Sequence, residues 1–174
     1  MGGIAVLAFA LRYHRMVRAV AALDVAIRSG PRRNRYLRRL RTIPTISYSD
    51  LATAKARFRL LPNEGAIAPQ CIAEIAEHSI RRTAEGTYTM KFDRESFFGS
   101  DGLDVASAIA KVPIPLLLVR GECSRIMSAD AAADASGSNQ LIEFVTIPNV
   151  HHHLPLEAPE SLARVIEQFC AAHS

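Results

Sequence analysis

The chain has 174 residues, 49% of them hydrophobic and 22% charged. That balance suits one folded domain with a buried core and excludes a disordered or collagen-like polymer. Its formal net charge is +4, and the excess is concentrated in Arg28, Arg32, Arg33, Arg35, Arg38, Arg39 and Arg41.

The N-terminal residues run into an apolar helix from Ile4 to Tyr13. A continuous apolar run follows, Val17-Arg18-Ala19-Val20-Ala21-Ala22-Leu23, with the texture of a buried parallel strand. Gly30-Pro31 breaks that pattern. The next block, to Gly99, is mostly helical and rich in arginine. Its spacing predicts helices over 32–41, over 49–61 (capped by Ser49 or Ser47 and stopped by Pro62) and over 69–82. Glu85-Gly86 reads as a turn, after which Tyr88, Met90 and Phe92 alternate with polar residues as in a short strand. Neither end of the block carries a glycine-rich linker, so it reads as an insertion.

Strand–helix alternation then resumes. A helix is expected from Leu103 to Lys111 and a strand from Ile114 to Val119, with Pro115 confined to its start. A helix over 128–135, a strand from Ile142 to Ile147, a turn at His151–His153 and a closing helix from Pro159 to Ala172 complete the chain. Strands separated by helices imply a parallel sheet. The expected organisation is 1–30 and 101–174 as core, with 31–100 inserted between them.

Cys71, Cys123 and Cys170 are odd in number and lack C-x-x-C spacing, which argues against a disulfide framework or structural zinc and points to the cytoplasm. No basic region precedes the first apolar run. Arg12, Arg15 and Arg18 interrupt it well short of the ~18–20 apolar residues of a span, so neither a secretory signal nor membrane association is expected. The arginine stripe could attract phosphates, but no nucleic-acid motif accompanies it. A solvated helix face is the simpler reading, and nucleic acid is not expected as a partner.

Three segments together resemble the α/β-hydrolase family, in its cap-bearing esterase, epoxide-hydrolase and C–C-hydrolase branch. Met1-Gly2-Gly3-Ile4-Ala5 is similar to the downstream half of a G-x-S-x-G nucleophile elbow and the start of its helix. Pro115-Leu116-Leu117-Leu118-Val119-Arg120-Gly121-Glu122 resembles the seventh strand and its glycine turn. Ile147-Pro148-Asn149-Val150-His151-His152-His153-Leu154-Pro155-Leu156-Glu157-Ala158-Pro159-Glu160 resembles the catalytic-histidine loop, and is the most specific of the three.

The resemblance implies a partial α/β-hydrolase fold of about three parallel strands with flanking helices, carrying a helical lid. It covers the later part of a family member, beginning just after the nucleophile. His152 takes the catalytic histidine slot, and His151 stands where the family usually has glycine. A triple-histidine metal loop is the competing reading, but three adjacent side chains cannot all face one ion. The usual acid slot falls on Ser124, which is no carboxylate. Asp24, at the end of the Val17–Leu23 strand, and Glu122 are the substitutes, with Asp24 favoured and a purely structural Asp24 left open. The backbone nitrogen of Met1 would be an oxyanion donor.

Phe58, Leu60, Leu61, Ile72, Ile75 and Phe92 would line the lid's underside or simply pack it. The activity implied is hydrolysis of an ester-like small molecule by a nucleophile–histidine–acid triad, with no cofactor. The chain alone is expected to be inactive. The alternative is a non-catalytic module that self-associates, or pairs with a full-length relative, through a bared strand edge.

Overall fold

The computed structural model describes residues 1–28, 31–93 and 103–174, with the side chains of all but 31–34, 37 and 41. Helix α1 is Gly2–Tyr13, followed by a 3-10 turn at His14–Met16 and strand β1, Val20–Leu23. Then come α2 (Pro31–Thr42), α3 (Leu51–Arg57), α4 (Pro69–Ser79), β2 (Ile80–Arg82) and β3 (Tyr88–Met90). The C-terminal run is α5 (Val105–Lys111), β4 (Leu116–Gly121), α6 (Ala129–Ser136), β5 (Ile142–Ile147), α7 (Leu154–Glu157) and α8 (Pro159–Ala172). The chain divides into two compact units, one of residues 1–29 with 100–174 and one of residues 30–99.

The first unit is built on a three-stranded sheet in the order β1-β4-β5, parallel throughout. Val20 pairs with Leu116, and Leu116 in turn with Ile142. The middle strand β4 is buried along its whole length, which explains its unbroken Leu-Leu-Leu-Val sequence. Its side chains alternate between two apolar clusters, as the two-residue pleat requires. Leu116 and Leu118 pack with Leu7, Val20, Ala22, Ile109 and Met127. Leu117 and Val119 face the other way, toward Val150, Leu154, Leu162 and Phe169. Each fully buried leucine contributes roughly 1.5–3 kcal/mol relative to exposure. The strand ends therefore sit on a rigid platform.

The second unit contains α2, α3, α4 and the antiparallel pair β2–β3. Ala54, Phe58, Ala76 and Ile80 are buried in it, whereas Leu61 and Phe92 are exposed. Arg35, Arg38 and Arg39 are exposed on α2, and the Arg32, Arg33 and Arg41 side chains lie outside the description. So do Gly30 of the expected chain break and the block's end near 99.

Several expected elements differ. The strand expected over 114–119 is β4, shifted to Leu116–Gly121, the helix expected from Leu103 begins at Val105, and the strand through Tyr88 ends at Met90, short of Phe92. The first strand starts at Val20, not Val17, because Val20 is the first residue to pair with β4, opposite Leu116. The helix expected over 49–61 is α3, shorter at both ends. Its cap is Asp50, whose side chain accepts from the Thr53 amide, and Phe58 turns extended at ψ 137° well before Pro62. The helix expected over 69–82 stops at Ser79. Ile80–Arg82 pairs instead with Tyr88–Met90 across a turn in which Gly86 adopts φ 84°. Tertiary pairing here overrides a run that would continue the helix. The closing helix and the Ile142–Ile147 strand fall where the sequence places them.

Candidate active site

The carboxyl ends of β1, β4 and β5 bring together three side chains distant in sequence. Asp24 follows β1 directly and donates its amide to the Val119 carbonyl at 2.7 Å, one step beyond the paired strand. Its backbone is left-handed, φ 44°, a conformation that Asp tolerates better than most residues. The side chain is 1% exposed. A buried carboxylate must be satisfied by donors, and two converge on the same oxygen. His152 Nδ1 lies 2.7 Å from Asp24 Oδ2, and Ser124 Oγ lies 2.5 Å from it. Asp24 Oδ1 is buried without a partner among the described residues.

An ionised carboxylate only accepts, so Nδ1 of His152 must carry a proton. That tautomer leaves Nε2 with a free lone pair, the arrangement a general base requires. His152 is partly open, its side chain 28% exposed.

The loop carrying His152 is held by two features. Gly121, the last residue of β4, lies directly under it. A Cβ there would come within 2.1 Å of the His151 carbonyl oxygen and 2.5 Å of that of Val150. Only glycine permits this approach. On the other side, the Glu157 carboxylate closes back onto the loop. It accepts from the His151 amide at 3.0 Å, the His153 amide at 3.1 Å and His151 Nδ1 at 3.0 Å. The bend's left-handed residue is Asn149, φ 58°. His151, in the place of the family's usual glycine, therefore has no left-handed conformation to sustain.

The three histidines go separate ways: His151 to Glu157 and His152 to Asp24, while His153 sets its ring edge-on to His152 with centroids 5.2 Å apart. No group of three metal-ligating side chains occurs among the described residues.

Of the two substitute acids, the structure joins Asp24 to His152. Glu122 instead accepts from the Asn149 amide at 2.9 Å. Met1 stands at the N-cap of α1, exposed, its carbonyl accepting from the Ile4 and Ala5 amides. In the sequence Ser124 stands in the acid slot as a residue that is no carboxylate, and its bond to Asp24 has no sequence signal. Glu157 belongs to the loop motif in the sequence, but its grip on the His151 and His153 amides has no sequence signal. The turn between β4 and α6 is pinned by Arg120, which is buried and donates to the Met127 and Glu122 carbonyls at 2.8 Å each.

This architecture is part of the α/β-hydrolase fold. No protein-family model and no curated protein matches the sequence, but solved structures do. The chain is similar to E-2-(acetamidomethylene)succinate hydrolase, with TM-score 0.74 and 24% identity over 95% of this chain and 62% of that one. An M. tuberculosis esterase superposes with TM-score 0.77 at 16% identity, covering 97% of this chain and 59% of the other. An α/β hydrolase from Novosphingobium aromaticivorans gives TM-score 0.66 at 23% identity, with 96% and 61% covered. The chain thus spans about three fifths of the length of the structures it matches. It matches a portion of the fold containing α1, the three parallel strands and the histidine loop.

Proposed function

We propose that residues 1–174 supply the base and acid of a nucleophile–histidine–acid triad that cleaves a small ester or related carboxylic substrate. The observation that carries this reading is the 2.7 Å contact of His152 Nδ1 with the buried Asp24 carboxylate, in a fold shared with esterases. Ser124 is not the nucleophile, because its hydroxyl is buried and spent on Asp24. In this reading a nucleophile sits at a strand-to-helix elbow directly ahead of α1. His152 Nε2 takes its proton as it attacks the carbonyl carbon, then passes that proton to the departing alcohol oxygen. Asp24 holds the imidazole tautomer and offsets the transient imidazolium charge. Water then attacks the acyl carbon, losing its proton to the same nitrogen, which returns it to the departing nucleophile as the carboxylic acid is released. The backbone nitrogen of Met1, at the start of α1, serves as an oxyanion donor. Residues 30–99 act as the lid, and the mechanism calls on no cofactor.

Among the described residues no helix is long and apolar enough to cross a membrane. We place its action in the cytoplasm on the strength of its three free cysteines.

The test compares residues 1–174 with a form extended upstream in frame, on a short-chain aryl ester. The extended form should hydrolyse it and residues 1–174 should not. Losing the nucleophile costs many orders of magnitude. An extended form that stays fully active after His152→Ala overturns the assignment.

A second reading rests on β1, which among the described residues pairs only with β4 and leaves its other edge open. As an interaction module the chain would dimerise, or bind a longer relative, through that edge. Size-exclusion chromatography with light scattering separates the two: a folded monomer removes the motive for the second reading.

A further inference from the structure

The bond between Ser124 and Asp24 joins residues 100 positions apart, both buried, at 7% and 1% exposure. It is directional. Ser124 Oγ accepts from the Ile126 amide at 3.0 Å, while the Ser124 amide donates to the Gly121 carbonyl at 3.0 Å. With an acceptor site on Oγ used by Ile126, its proton is directed at Asp24 Oδ2. The same oxygen receives His152 Nδ1, and Oδ1 has no described partner. The orientation of the carboxylate toward the histidine therefore depends on one fixed hydroxyl donor on the turn after β4.

We infer that Ser124 is a positioning residue for the Asp24–His152 pair, a serine that holds, from the slot after β4, the carboxylate supplied by the end of β1. This rests on the reading of Asp24 as partner of His152. A carboxylate gripped on one oxygen by a fixed donor cannot swing about its Cβ–Cγ bond, and the imidazole Nδ1–H stays directed at one lone pair. Without the hydroxyl the carboxylate is free to turn its orphaned oxygen to a donor or a water, and the Nδ1–H loses its single acceptor.

The test is proton NMR on the 174-residue chain, without activity. A proton held between Nδ1 and a buried carboxylate oxygen resonates far downfield and exchanges slowly with water. The unaltered chain should show this signal for His152, with a cross-peak to a slowly exchanging Ser124 hydroxyl proton. Ser124→Thr keeps the hydroxyl and should retain the His152 signal. Ser124→Val matches the threonine variant in volume but lacks the hydroxyl, and should broaden the signal beyond detection while the amide spectrum stays dispersed.

An unchanged signal in Ser124→Val overturns the positioning role. Should that variant lose its amide dispersion, the cross-peak in the unaltered chain decides, and its absence overturns the role equally. Asp24→Asn separates the two layers. If it leaves the His152 signal in place, the pairing of Asp24 with His152 fails. If it removes the signal and Ser124→Val does not, only the role of Ser124 fails.

Discussion

Replacing Gly121 by alanine is the sharpest single perturbation of the histidine loop. The new Cβ would lie 2.1 Å from the His151 carbonyl oxygen, where a contact below 3.0 Å forces something to shift. The obstructing atoms are backbone, so no side chain can swing aside and the loop must retreat by about 0.9 Å, the difference between those distances. Carried to His152, the same displacement stretches its 2.7 Å bond to Asp24 to roughly 3.6 Å, outside hydrogen-bonding range. Overpacking of this kind costs about 1–3 kcal/mol, and a charge-assisted bond contributes about 1.5–3 kcal/mol. The expected destabilisation is therefore about 2.5–6 kcal/mol, which for a chain of this size lowers Tm by on the order of 10 °C.

Thermal melts followed by circular dichroism measure the stability, and the downfield His152 proton reports the loop. Gly137→Ala is the control, since the nearest atoms to a Cβ there are at 3.7 Å. Its effect should stay within about 1 kcal/mol of neutral. A Gly121→Ala protein that melts within about 1 kcal/mol of its parent and keeps the His152 signal refutes the claim that glycine sets the loop's position.

Glu157→Ala removes the acceptor shared by two loop amides and His151 Nδ1. It should cost about 2–4 kcal/mol in urea unfolding, and Glu157→Gln, which keeps one acceptor oxygen, clearly less. Ser128 caps α6 through the Ala131 amide, so Ser128→Ala should lose about 1 kcal/mol while leaving the His152 proton untouched. In the second unit, the Thr53 amide and then the Thr53 hydroxyl hold Asp50 below its ordinary value of 3.8. A depressed folded-state value means that the cap's contribution is complete above the ordinary value and is lost as pH falls through the lowered one. The protection factor of the Thr53 amide, its exchange rate divided into the intrinsic rate at each pH, should fall at acidic pH in the parent, and Asp50→Asn should flatten that dependence.

The site was legible in the sequence where chemistry leaves few choices. The resemblance marked His152, through the slot it takes in the histidine-loop motif, and offered Asp24 as a substitute acid at the end of the first apolar run. The parallel core was legible too, since Leu116-Leu117-Leu118-Val119 has no polar face to offer water. What stayed hidden depended on partners far along the chain. Ser124 and Asp24 are 100 residues apart, and a serine beside a glycine turn suits many loops. Ile80-Arg81-Arg82 fits the end of a helix until Tyr88–Met90 provides a strand to pair with. Asp50 outcompeted Ser49 and Ser47 as cap because its carboxylate reaches both the amide and the hydroxyl of Thr53.

The parallel neighbours β1 and β4 are adjacent in space, with the whole of the second unit spliced between them along the chain. Closing that excursion is an entropic toll that grows only with the logarithm of its length, about 0.6 kcal/mol for each doubling. The sheet is thus nearly indifferent to how long the intervening segment is, and insertions or deletions there cost less than a typical helix cap. Variation can accumulate in residues 30–99 while Asp24 and His152 keep their places.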